Sequence, residues 1–280
     1  MVERKDLKFD IVIRQGRVVD GTGNPWFAAN IGILDGRISR ISRNDVGDAE
    51  KEICADGLVV APGFYDLHNH SDSAILVHNR AENLLHMGLV TCVTGNCGKS
   101  AAPITKKYRD KGIFQENFLH HFPPQIEDDE VNWTTLDEWR ECLHRKGIGV
   151  NIAHCCGHNT IRQCVMGDEG KGGERITPTD DELEEMKRMV AQAMEDGAFG
   201  MTTGLMYAPG RNASTEEVVE LCKIVAGYGG VYLSHIRGEG ETLIEATKEL
   251  IGICERAGVP GCLGHYKASG RANWGKPTES

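Results

Sequence analysis

"GLVVAPGFYDLHNH", residues 57–70, is where the texture of this chain changes. Before it come short alternating segments broken at Gly and Asp. After it, apolar stretches alternate with helix-length amphipathic ones. The stretch itself reads as a β-strand that finishes on two histidines one residue apart, His68 and His70. Alternate residues of a strand share a face, so the two imidazoles are expected to project together. Such a pair suits a metal ion. It equally suits a polar strand end near solvent, and H-x-H alone does not choose between them.

Upstream, "DIVIRQGRVVDG", "NIGILDGRISRIS" and "GLVVAPG" alternate in the period of strands, with Asp35-Gly36 as a hairpin turn. This predicts a small sheet domain over residues 1–60. Downstream, apolar strands are expected at 61–68, 89–94, 148–155, 198–203, 230–235 and 259–265. Helical patterns lie between the later ones. "TPTDDELEEMKRMVAQAMEDGA" opens on Thr177-Pro178 and carries Leu183, Met186, Met189, Val190 and Met194 on one stripe. "STEEVVELCKIV" has Ser214 and Glu217 at capping-box spacing. "ETLIEATKELIGICERAG" turns Leu243, Ile244, Leu250, Ile251 and Cys254 inward and stops at Gly258.

Repeated strand–helix units without a Gly-rich dinucleotide turn predict an α/β fold of the TIM-like (β/α) barrel type over residues 61–280. Six strands are legible where a closed barrel has eight, and "WGKPTES" reads as a helix start at which the chain stops. The expectation is therefore a barrel incomplete at its C-terminal side. Residues 102–135 lack periodicity and read as a long excursion on the active-site side, or as a tolerated surface insertion.

The 280 residues are 40% hydrophobic and 26% charged, with a formal charge of −10. That balance gives no reason to expect nucleic acid or an anionic membrane as partner. No run reaches transmembrane length and the N-terminus has no apolar signal core. Ten scattered cysteines, several inside apolar segments, read as buried thiols in a reducing cytoplasm.

Active-site residues of such barrels sit at the C-terminal strand ends. Read in order, those ends are "LHNH", "TGNCGKS", "HCCGHN", "TTGLMYAPG", "YLSHIRGE" and "LGHYKASG". His68, His70, Cys97, His235 and His265 are thus expected on one rim. Imidazole and thiolate are zinc ligands, and a zinc with an open position holds a water acidified to a pKa near ~7. Five candidate ligands exceed what one tetrahedral ion needs, so one zinc site with a second, weaker one is expected, Cys97 bridging. Within "AHCCGHN", only His158 is expected to reach the pocket. Lys267 and Tyr207 are rim candidates for a substrate carboxylate, and Arg237 and Glu239 are expected to pair with each other. His78, His86, His120, His121 and His144 read as surface residues.

The stretches "VVDGTGNPW", "GLVVAPGFYDLHNHSD", "VTGNCGKSAAPI", "GHNTIR", "DGAFGMTTGLMYAPG", "LSHIRGEG" and "LGHYKASG" resemble, in order, the D-aminoacylases of the amidohydrolase superfamily. The resemblance implies a metal-dependent TIM-like barrel with a small β-sandwich, which the N-terminal strands would partly form. It implies a tight zinc at Cys97, His235 and His265 and a weaker position at His68 and His70. It also implies contacts from Tyr207 and Lys267 to the substrate carboxylate, and hydrolysis of the amide of an N-acyl-D-amino acid, a small-molecule substrate. The family's catalytic aspartate and a substrate-binding arginine would lie beyond Ser280, and "AHCC" stands where the family is apolar. Two other readings stay open. One is an amidohydrolase of cyclic amides, such as a hydantoinase or dihydroorotase, although those use a carboxylated lysine on a strand that here reads "AFGMTTGLMY". The other is a metal-binding fragment without hydrolytic activity. Oligomeric state is not legible.

Overall fold

The computed structural model describes residues 8–111, 131–167 and 175–279. The chain divides into two compact units, Met1–Phe64 and Tyr65–Ser280.

The first unit is a sheet of β1 (Phe9–Val18), β2 (Phe27–Leu34), β3 (Arg37–Ser42), β4 (Ala49–Cys54) and β5 (Val59–Val60). Its path is β3-β2-β1-β4, with β5 also on β1. β1–β2 and β2–β3 are antiparallel, while β4 and β5 run parallel to β1. Asp35 and Gly36 both take positive φ, 52° and 69°, the primed turn that matches strand twist in a two-residue hairpin. Two small apolar clusters hold the unit, one around Phe9 and Val12, the other around Val18, Ala29 and Ile31. β4 reads "AEKEIC" and is almost wholly exposed. Its charge hides it from a hydrophobic pattern; its backbone pairing with β1 makes it a strand.

The second unit carries a six-stranded sheet in the order β11-β10-β9-β8-β7-β6. The strands are β6 (Phe64–Asp66), β7 (Leu89–Thr94), β8 (Asn151–Gly157), β9 (Gly200–Gly204), β10 (Val231–His235) and β11 (Gly261–Gly264). β7 to β11 pair in parallel. Sequence order equals spatial order, as in one arc of a (β/α) barrel. Between the strands lie α1 (Ser71–Ala74), α2 (Glu82–His86), α3 (Lys106–Asp110), α4 (Leu136–Lys146), α5 (His158–Met166), α6 (Asp180–Glu195), α7 (Thr215–Gly227) and α8 (Leu243–Ala257). The excursion expected over 102–135 contains α3; residues 112–130, with His120 and His121, lie outside the described residues.

Helix starts follow side-chain chemistry. α4 and α6 each open with a complete capping box, Thr135 with Glu138 and Thr179 with Glu182. The α6 cap is thus Thr179, two residues past the Thr177 expected from the sequence. α7 has only half a box: Ser214 accepts from the Glu217 amide, but the Glu217 side chain turns inward instead. α8 ends on Gly258 at φ 69°, as read. One core runs between sheet and helices, with Trp139, Met186, Val190, Met201, Leu221 and Tyr232 fully buried. Ile251, expected inward, is exposed, and Ile253 takes its place.

Candidate metal centre

The sheet's C-terminal edge collects the predicted side chains. β6 ends at Asp66, so His68 and His70 stand in the turn beyond the strand rather than on its face. That turn is fixed locally. Asp66 accepts from the His68 amide at 3.1 Å and from Asn69 Nδ2 at 2.8 Å, and Asn69 Oδ1 accepts from the Ser71 amide at 2.8 Å. The Asn69 amide then donates to Val93 O of β7 at 3.0 Å.

Cys97 follows β7 in "GNCG", with φ at 54° between Gly95 and Gly98, both also positive. A Cβ at Gly95 would lie 1.9 Å from Cys155 O, so the turn needs glycine there for space as well as for φ. His265, after β11, also takes a left-handed backbone, φ 58°. Two non-glycine residues held at costly φ values, both aimed into one cluster, mark a constrained site.

Sγ of Cys97 is the hub. It lies 3.3 Å from His68 Nε2, 3.4 Å from His235 Nδ1 and 3.3 Å from His265 Nε2. The ligand atoms of His68, Cys97 and His265 all fall within 4.8 Å of one another. The His68 and His265 rings are 4.2 Å apart, those of His235 and His265 4.4 Å. His70 stands one ring further out, 5.3 Å from His68. Beside Cys97 and His68 opens a cavity of ≈ 360 Å³ walled by Leu233, Cys262 and Leu263. A larger one, ≈ 570 Å³, lies at the other end of β7 and β8 against Trp139 and Ile152, and gathers no comparable donor set.

The donor set fits a thiophilic divalent ion. Tetrahedral bonds of ~2.3 Å to sulfur and ~2.1 Å to nitrogen place S and N ~3.6 Å apart, near the spacings seen. Burial, with the neighbouring imidazoles, pushes His68 down to about 4, and burial also lowers His70 and His235. All three are therefore neutral at pH 7, the form that ligates. Burial pushes the Cys97 thiol up to about 11, so an ion bound there must displace its proton.

Glu239 completes the site and was misassigned from sequence. Its carboxylate lies 3.1 Å from His235 Nε2 and accepts from Lys267 Nζ at 2.5 Å, while Nδ1 of His235 faces Cys97. Arg237, expected to pair with Glu239, instead pairs with Glu249 of α8 at 2.9 Å. Tyr207 meets His235 edge-on, ring centres 4.9 Å apart, and Met206 Sδ is 3.2 Å from His235 Nε2. Lys267 and Tyr207 thus both lie beside the cluster.

His158 does not. It opens α5 on the helix side of the sheet, fully buried, and its Nε2 donates to Glu217 Oε1 at 2.8 Å. Arg162 donates to the same oxygen at 2.9 Å. The helix begins directly at the end of β8, so this side chain already follows helical geometry and points away from the strand-end rim. His154 is buried too, bonded to Thr94 Oγ1 and Ala102 O. His78, His86 and His144 are exposed.

Comparison with known proteins places this arrangement. Residues 51–260 match the Amidohydrolase family. A D-aminoacylase of Alcaligenes xylosoxydans xylosoxydans is 33% identical over 285 aligned residues, covering 100% of this chain and 55% of the relative. An N-acyl-D-glutamate deacylase of the same organism is 34% identical, over 96% of this chain and 52% of the relative. The crystal structure of N-acyl-D-glutamate deacylase from Bordetella bronchiseptica, complexed with zinc and a phosphonate mimic of the tetrahedral intermediate, superposes with a TM-score of 0.85 at 30% identity, over 98% of this chain and 54% of that one. The chain spans about half the length of the curated relatives it matches. Among the described residues no helix is long and apolar enough to cross a membrane.

Proposed function

The chain belongs to the amidohydrolase family, and from that premise we propose that it carries the zinc-binding half of a hydrolase that cleaves the amide of N-acyl-D-amino acids. The observation that supports this most is the thiol hub: one cysteine within 3.4 Å of three imidazoles at the ends of three different strands. Cys97, His235 and His265 would hold the tighter ion, with His68 and His70 on the side of a second. When bound, the metal supplies Lewis-acid polarisation of the acyl carbonyl and a water of lowered pKa.

The chain's own residues prepare that chemistry. Glu239 places a carboxylate 3.1 Å from Nε2 of His235, on the side of the ring opposite the thiol, where it would raise the basicity of a ligating imidazole. Cys97 would lose its thiol proton to solvent or a base when a metal binds. Lys267 and Tyr207 offer an ammonium and a phenol beside the cluster, where the carboxylate of an N-acyl amino acid would dock. β9 reads "GMTTG" and offers no lysine, which favours linear over cyclic amides. All ten cysteines are free thiols, which supports a reducing compartment such as the cytoplasm.

Elemental analysis of wild type beside Cys97→Ala tests the reading. About one zinc per chain, lost in the variant, is expected for a site that needs the thiolate as ligand; zinc retained without the thiol removes Cys97 from the centre and overturns the assignment. Binding of N-acetyl-D- against N-acetyl-L-amino acids and hydantoin to the metal-loaded chain then tests substrate class, with retention of the D-compounds expected and equal retention of hydantoin counting against it.

A further inference from the structure

Asn159, the second residue of α5, is not among the cluster's metal donors, yet its amide is fully committed at the site's base. It is 3% exposed. Its Nδ2 donates to Gly204 O at 3.1 Å and to Tyr207 O at 3.3 Å, and its Oδ1 accepts from the Gly204 amide at 3.1 Å. Two glycines make room for it, and a third lets the two loops beside it meet. A Cβ at Gly98 would come within 2.1 Å of Oδ1, one at Gly210 within 2.5 Å, and one at Gly204 within 2.2 Å of Cys97 O. The next residue reinforces the first of these contacts: the Thr160 amide donates to Gly98 O at 3.1 Å, and Thr160 Oγ1 accepts from the Ser100 amide at 3.1 Å.

The N-terminus of α5 therefore grips two loops at once. One is the turn that presents Cys97; the other is the 204–210 loop that presents Tyr207. Both arrive at His235, through Cys97 Sγ at 3.4 Å and the Tyr207 ring at 4.9 Å, and the Leu205 amide ties the second loop to His235 O at 2.9 Å. We propose that Asn159 is a positioning residue that holds the Cys97 turn and the Tyr207 loop in register, so that metal-binding thiol and substrate-facing phenol meet the same imidazole. Two donated and one accepted hydrogen bond distinguish this amide from a side chain that only fills space. The functional half of this inference rests on the metal reading above.

The test uses the full chain with Asn159→Ala, Asn159→Asp and, should either fail to fold, Asn159→Ser. Asn79→Ala is the control: Asn79 Nδ2 likewise donates to two carbonyls, Lys146 O and Gly147 O, but away from the site. Two readouts are taken beside thermal unfolding: amide exchange over 204–207, and Co2+ affinity followed by the thiolate-to-cobalt charge-transfer band. Expected for Asn159→Ala is exchange over 204–207 faster by about tenfold or more and Co2+ affinity weaker by about tenfold or more, the range of outer-shell losses at metal sites. Asn159→Asp, isosteric but facing two carbonyl oxygens with a carboxylate, should behave alike, and Asn79→Ala should lose stability while leaving both readouts unchanged. The proposal is overturned if Asn159→Ala merely loses stability as Asn79→Ala does, or if Asn159→Asp matches wild type. Wild-type protein that takes up no Co2+ counts against the metal reading, and the exchange arm then decides the clamp by itself.

Discussion

Glu239 sits between His235 and Lys267 with its side chain almost wholly buried, and each partner gives it a different duty. Toward His235 it sets a carboxylate 3.1 Å from Nε2; toward Lys267 it holds an ammonium at the rim. Glu239→Gln keeps the shape but can turn its NH2 toward either donor, so metal affinity is expected to drop about 10- to 100-fold; titration against a chromophoric chelator measures it. This role was hidden in the sequence because Arg237 stands two residues away with the opposite charge, and only the course of the chain after β10 sends Arg237 to α8 instead. His154 gives a second residue-level prediction. Its ring is buried against Trp139, ring centres 4.5 Å apart, and burial pushes it down to about 4. The unfolded chain takes up a proton near ~6.5 that the native ring refuses, so stability falls as pH drops from about 6.5 to about 4, by about 3 kcal/mol at most, and is unaffected above that window. Denaturation midpoints against pH should show this slope in wild type, and a shallower one in His154→Asn.

At the scale of elements, the legible features were those with a local cause. The six strand positions of the second unit emerge from apolar runs, and the α6 stripe places Met186, Val190 and Met194 in the core as read. The features missed have no local cause. β4 is a strand because β1 offers it a ladder, although most of its residues are charged or exposed. Glu217, placed in a capping box by its spacing from Ser214, is pulled instead into the buried pairing with His158 and Arg162. Where a box does form, its worth can be measured: Thr179→Ala should cost about 1 kcal/mol of stability, read from urea unfolding, with metal content unchanged. A loss of metal in that variant would mean that α6 is coupled to the strand-end rim.

At the scale of the molecule, the candidate centre ties together chain segments as far apart as His68 and His265. Those segments have no covalent reason to stay together, so an ion bound to the folded arrangement and not to the unfolded chain stabilises the whole second unit. Removing metal with a chelator should therefore lower the unfolding temperature. Free zinc at a hundredfold excess over Kd should add about 2.7 kcal/mol, an effect absent in Cys97→Ala. An unfolding temperature indifferent to metal would mean that the cluster does not bind it in the native state.

By itself the sequence determined which residue types stand at the strand ends, because strand period and glycine turns are set by neighbours along the chain. It thereby offered His68, His70, Cys97, His235 and His265 as one set. Tertiary structure alone decided how that set is arranged and which neighbours serve it. His68 reaches the thiol from a turn rather than from a strand face, Glu239 rather than His158 joins the site, and Asn159 spans two loops from the helix behind. His68 and Asn159 depend on partners distant in sequence, Glu239 on how the chain folds back after β10, and His158 on the direction a side chain takes once strand becomes helix; periodicity carries no information about any of these.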